Sequence, residues 1–421
     1  DTHIGLKGGL GLPFFLLCRR HVKLINNQSR KLLKEAHLIT IRFQRYLIVL
    51  IFLGALFTCN MVHSELNTER EGYLNKAKLV ATELRESENY YDQIAGAGTL
   101  VEFGDKEALQ FIADNLNHTD WVLMRSAIDT LISVRHPSGV DVMYKAAETI
   151  KETVFLKFLT ESLSFKARED MGEFLVDLLE VDDQWVKKYA MQAIDFIDFD
   201  GKQEILNRLV ESNTSDPIVR AYASMALISS DSTAEDVKRL IKMAKEGDSS
   251  AQEAAAVALG RVDSKETRQT LRVLRNSKYP KVSMAALASE VGYGIQDAKD
   301  RLIDIMTAGK GLDPSVAAAS LRRIPVRISD SVTKELIACC KVSSDVGTRI
   351  LEAWSNMPEI PAHIYKWGLE NENPDIKLQG IWLVGQTGAN EYLSKVVHAM
   401  DDSDPGIRGM AAWSTVMLLQ Q

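Results

Sequence analysis

DPIVRAYA (216–223) returns in altered form along most of this 421-residue chain. The clearest copies are DQWVKKYA (183–190), DPSVAAAS (313–320), NPDIKLQG (373–380) and DPGIRGMA (404–411). Weaker copies begin at Glu88, Asp120, Lys151, Asp248, Tyr279 and Ser343. The eleven copies are spaced by about 32 residues on average, and a fixed period in this range marks a solenoid. In a solenoid each unit buries its apolar face only by stacking on its neighbours.

The phrase reads as the start of a helix. Its first position is most often Asp, and Pro217, Pro280, Pro314, Pro374 and Pro405 fill the second. Asp as N-cap followed by Pro at the first helical position is a strong start signal, because the missing amide would be unpaired there anyway. The fourth position is apolar in every copy: Tyr91, Leu123, Val154, Val186, Val219, Ala251, Val282, Val316, Val346, Ile376 and Ile407. The eighth is small except at Phe158 and Ile350. Residues four apart lie on one helix face, so a small eighth residue lets a neighbouring helix approach closely.

A second amphipathic run follows each phrase, as in KEALQFIADNL (106–116), KQEILNRLVES (202–212) and KETRQTLRVLRN (265–276), after a short polar turn. Strand signals are nearly absent. The expected fold is all-α: an α-α superhelix, a solenoid of about eleven helix-pair units. The chain resembles the HEAT-repeat proteins, in particular the short, phycobilisome-lyase-like HEAT subtype, whose units open with an Asp-Pro-x-Val-Arg-like phrase. The resemblance covers 88–421 and implies that the second helices line the concave surface. It implies little about function, since such solenoids host many roles.

The N-terminus has a different character. Residues 46–62, YLIVLIFLGALFTCNMV, carry no charge, with Arg42 and Arg45 before them and Glu65, Glu69 and Glu71 after. That order describes a signal peptide or a membrane anchor, and the basic flank directs the repeats outward. Val62-His63-Ser64 favours cleavage before Glu65, a retained anchor is the next reading, and Cys59 follows a poor lipobox. The expected organisation is a leader at 1–64, a lead-in helix or linker at 65–87, and the HEAT-like solenoid at 88–421. Residues 1–40 fit neither leader role and read either as sequence upstream of the true start or as a fragment. The expected location is extracytoplasmic, in a bacterial periplasm, with membrane contact only through the N-terminal segment.

Without residues 1–64 the chain carries 41 basic and 55 acidic residues, a net of −14. Nucleic-acid binding needs a basic footprint and is not expected. Only Cys339 and Cys340 lie beyond the leader, so no disulfide scaffold is expected. No HExxH, paired CxxC, GxxxxGK[ST] or GxSxG motif occurs, and no His-Glu dipeptide. The expectation is a protein with no catalytic, cofactor or metal site. A bilin lyase-like, chromophore-handling role is implied only by the repeat subtype, and a purely structural spacer is the other alternative. Trp354, Trp382 and Trp413 lie in first helices, where packing between units is the preferred reading over a groove lining.

One stretch departs from the acidic balance. Residues 236–281 hold eleven Lys+Arg and six Asp+Glu. Lys238, Lys242 and Lys245 are spaced i, i+4, i+7, and Arg268, Arg272 and Arg275 repeat that spacing in the next unit. Together they form a candidate patch for an acidic ligand, against the plain reading of a solvated helix face. The expected function is thus a non-catalytic scaffold that binds another protein or a peptide, an acidic one if these rows are the site.

Overall fold

The computed structural model describes residues 67–420, apart from 151, 212–215, 229–231, 309–312, 324–329, 340–342, 356 and 358. The leader stretch 46–62 and Cys340 lie outside the described residues. From Gly72 to Gln421 the chain forms one compact unit. Among the described residues the regular structure is helical throughout, with no strand. None of the described helices is long and apolar enough to cross a membrane.

The first helices of the units are α2 (Tyr90–Glu102), α4 (Trp121–Ser133), α6 (Thr153–Lys166), α8 (Gln184–Phe196), α10 (Pro217–Ala226) and α12 (Ser249–Leu259). They continue with α14 (Pro280–Gly292), α16 (Pro314–Ser320), α18 (Ser344–Ser355), α20 (Pro374–Thr387) and α22 (Pro405–Leu419). The second helices are α3 (Lys106–Asn115), α5 (Ser138–Thr149), α7 (Gly172–Asp177), α9 (Lys202–Glu211) and α11 (Ala234–Glu246). After these come α13 (Lys265–Leu274), α15 (Gln296–Ala308), α17 (Asp330–Cys339), α19 (Ala362–Leu369) and α21 (Leu393–Ala399). A leading helix, α1, spans 67–85.

The phrase starts helices as its chemistry requires. Asp120, Asp183, Asp216, Asp248, Asp313, Asn373 and Asp404 are all N-caps whose side chains accept amides of the first turn. All five phrase prolines sit at the first helical position. The eighth-position residues Ala127, Ala190, Ala223, Ala255, Ala286 and Ala411 are fully buried. At Gly380 an added Cβ would lie 2.5 Å from the carbonyl carbon of Gly368, so α19 and α20 meet backbone to backbone.

In two units the helix starts one residue later than the phrase places it. The N-cap of α2 is Asn89 rather than Glu88, and Tyr91 is 43% exposed while Ile94 and Ala97 fill the core. Glu152 precedes α6, and Phe155 and Leu159 take the buried positions that the phrase assigns to Val154 and Phe158. In both units the pattern of burial, not the polar opening residue, sets the register.

Each first helix touches the next, and α22 touches α2. The solenoid's ends therefore meet, and eleven first helices form a closed inner layer. Among the described residues α21 is the tenth second helix, and the outer position beside α22 at the seam is filled from the other end of the described chain. Helix α1 takes that place. Its Ala77, Val80, Ala81 and Leu84 are buried. Lys76 pairs with Asp401 at 2.7 Å, and Arg408 reaches Glu83 at 3.5 Å. Gly96 of α2 faces the Ala81 carbonyl, and Gly409 of α22 faces the Leu84 side chain.

Contacts between distant units identify the inside. Lys281 of α14 lies over the Trp185 ring of α8, three units away, at 5.3 Å. Lys166 of α6 lies over the Trp382 ring of α20 at 5.7 Å. Arg135, just after α4, donates to the Gln386 carbonyl of α20 at 3.4 Å. Such pairs can meet only across the concave side, and all come from first helices or their ends. This corrects the expectation that second helices line the concave surface: they form the outer layer. The cause is visible in α14, whose Val282–Val291 are all buried, against three buried residues in α13. A helix that is apolar nearly all round belongs inside, and a one-sided helix belongs on the surface.

Candidate ligand chamber on the inner face

Trp185, Tyr189, Gln192 and Phe196 are spaced i, i+4, i+7, i+11 along α8 and form one stripe. The stripe faces a chamber of about 280 Å³ walled by first helices α6, α8, α12, α14, α16 and α18. Its mouth is aromatic. Trp185 is 42% exposed, and its ring lies 5.1 Å from that of Tyr189. Lys281 is exposed and holds its ammonium over both rings, 5.3 Å from Trp185 and 5.9 Å from Tyr189. Cation–π contact of this kind positions a lysine without neutralising it. Lys281 forms no ion pair among the described residues; its hydrogen bond goes to the Tyr189 hydroxyl at 3.5 Å.

Deeper in, the charges are already matched. Glu253 pairs with Lys188 at 2.7 Å, both side chains being largely buried. Glu161 pairs with Arg125 at 3.0 Å. Arg322 and Arg349 both reach Glu352. Burial alone would lower the Arg349 guanidinium, but Glu352, Asp345 and, across the chamber, Glu161 together hold it above its ordinary value. The Gln192 carboxamide has no such match. It is 1% exposed, and neither its amide nitrogen nor its amide oxygen has a hydrogen-bond partner among the described residues. An unmade hydrogen bond at a buried polar atom costs about 1–3 kcal/mol. A leucine would line this wall without that cost.

The six residues of the basic rows lie elsewhere. Lys238, Lys242 and Lys245 are on α11, and Arg268, Arg272 and Arg275 on α13 and its C-cap, two outer helices in contact with each other. Lys238 faces Glu235 at 3.4 Å and Lys242 faces Glu246 at 3.9 Å. Lys245 is exposed and lines a groove with Gln269 and Val273. Arg268 holds Asp263 through two bonds of 2.6 Å, which keep its guanidinium above and the Asp263 carboxyl below their ordinary values. Arg272 is exposed. Arg275 turns inward to Glu290 at 3.2 Å and to Asp297 at 2.7 Å. Burial pushes the Glu290 carboxyl up, and Arg275 opposes that only in part. The rows are thus adjacent but convex, and Arg275 holds the unit together rather than presenting a charge.

Trp354, Trp382 and Trp413 are buried between units. The chamber residues carry a sequence signal of their own: a glutamine interrupting an aromatic stripe on a first helix. No protein-family model matches the chain, and no curated protein matches it. What the chain belongs to is therefore stated by its own architecture, an all-helical repeat protein.

Proposed function

We infer that this chain is a non-catalytic scaffold of the HEAT-like kind, which holds a segment of another protein or a peptide against the inner face of its helical ring. The observation that carries this reading is the chamber wall of α8, where an exposed Trp185 stands above a buried Gln192 whose amide has no partner among the described residues. Structural packing would favour the opposite arrangement, with the aromatic buried and the amide at the surface. Tryptophan and tyrosine offer large contact area at small entropy cost, which suits a binding surface. The HEAT-like assignment is supported by the Asp-Pro phrase with its caps and small eighth residues. Export or anchoring is supported by the apolar stretch 46–62 and its basic flank.

The test is selection from a random eight-residue peptide library on the full chain, followed by counter-screening against Trp185→Ala. Binders that lose affinity with the variant support the reading. A selection that yields no Trp185-dependent binder refutes it and leaves a spacer.

A further inference from the structure

Gln192 and Lys281 define complementary demands on whatever enters the chamber. A primary carboxamide offers one acceptor and two donors. In an extended peptide the N–H and C=O of one residue point to the same side, so one residue's backbone can satisfy both ends of Gln192. At the mouth, Lys281 offers a cation that forms no ion pair among the described residues and is held in place by two aromatic rings. The chamber carboxylates do not compete for it, because Glu253 is engaged by Lys188 and Glu161 by Arg125. An entering carboxylate would therefore meet an available ammonium.

The stripe's length fits an extended segment. From Trp185 to Phe196 the helix rises about 16 Å at 1.5 Å per residue. That equals about five residues of extended chain at 3.3 Å each. The chamber volume of about 280 Å³ admits only part of such a segment, so the rest lies along the aromatic mouth.

The geometry points to an acidic peptide as the occupant, with the N–H and C=O of one extended residue bonded to Gln192 in the chamber and an Asp or Glu side chain paired with Lys281 at its mouth. This assignment rests on the scaffold reading above and narrows it to a ligand class. It also moves the acidic-ligand site from the outer basic rows to the inner face.

The experiment takes Trp185-dependent binders from the library and compares one of them with its Asp→Asn or Glu→Gln twin. Acidic residues should be enriched among the binders. The neutral twin should bind roughly ten- to hundredfold more weakly, as expected for one charge-assisted hydrogen bond. Lys281→Met should weaken the acidic peptide by a similar factor yet leave the twin unchanged, and Lys281→Arg should restore much of the affinity. Gln192→Leu should weaken both peptides while the melting temperature holds or rises, since the variant removes an unmet polar group. Trp185-dependent binders without acidic enrichment, or affinities indifferent to Lys281→Met and Gln192→Leu, would overturn the ligand class and leave the scaffold reading intact. The absence of Trp185-dependent binders would overturn both.

Discussion

The seam between α22 and α2 makes the sharpest claim about this fold, and Leu84 tests it. Its side chain is 2% exposed. A Cβ added at Gly409 would lie 3.1 Å from the Leu84 Cδ1, and one added at Gly96 would lie 3.0 Å from the Leu84 Cβ. Leu84 is thus wedged between the last and first inner helices, each of which offers a glycine. Leu84→Ala removes three carbons, worth about 2.4 kcal/mol at 0.8 kcal/mol per buried methylene. Glycine neighbours have no side chain with which to fill the gap, so a cavity term adds to this, for about 3–4 kcal/mol in all. Denaturant titration reads the loss, and hydrogen exchange locates it. Exchange should accelerate in 72–85 and 405–419 before it does in α10 or α12. The control is Leu79→Ala on the same helix, 69% exposed, which should change stability by less than about 0.5 kcal/mol. A Leu84→Ala variant within about 1 kcal/mol of wild type would refute the wedge. Unchanged exchange at both termini would refute the closure itself.

Four further outcomes are expected. Gly380→Ala places its Cβ 2.5 Å from backbone of Gly368 and should cost about 1–3 kcal/mol in a thermal or denaturant melt. Arg275→Gln strands Glu290, whose side chain is 2% exposed, and should cost about 3–5 kcal/mol, whereas Arg268→Gln breaks an exposed pair and should leave the melt close to that of wild type. Burial pushes the Tyr293 phenol up to about 12, its hydroxyl donating to the Leu259 carbonyl. Its protonated form therefore supports the fold fully below about pH 10, the unfolded value, and that support is lost as pH rises toward 12. Burial also raises Tyr144, Tyr365 and Tyr392, so absorbance titration should show tyrosine still neutral at about pH 11, and Tyr293→Phe should remove part of that signal. Finally, a reporter active only outside the cytoplasm, fused after Gln421, should be active and should fall silent when residues 46–62 are deleted.

Much of the fold is legible in local sequence because helix starts are local chemistry. Asp216 and Pro217 announce α10 without reference to anything distant, and the same holds for Asp313 and Asp404. The register of α2 and α6 is less legible, because Glu88 and Lys151 imitate the phrase opening while Ile94 and Phe155 fix the burial. Which layer faces inward was written in α14, apolar around most of its circumference, but the family likeness pointed the other way. Ring closure could not be read, since Lys76 and Asp401 stand 325 residues apart and no periodic pattern encodes their meeting. The chamber was partly legible. The stripe Trp185–Tyr189–Gln192–Phe196 is in the sequence, but Lys281 reaches it only because the two intervening units bend the layer back.

Closure through α1 also fixes how this protein can change its size. An open solenoid can gain or lose a repeat at either end, because only one junction notices. Here the last inner helix must arrive beside the first, with a single second helix already waiting between them. Adding or deleting one unit would misalign α22 and α2 and distribute the mismatch over every junction in the layer. The repeat number is therefore a property of the whole chain rather than of its ends. Variation between copies of such a protein should accumulate within units, in turn lengths and outer faces, and not in their count.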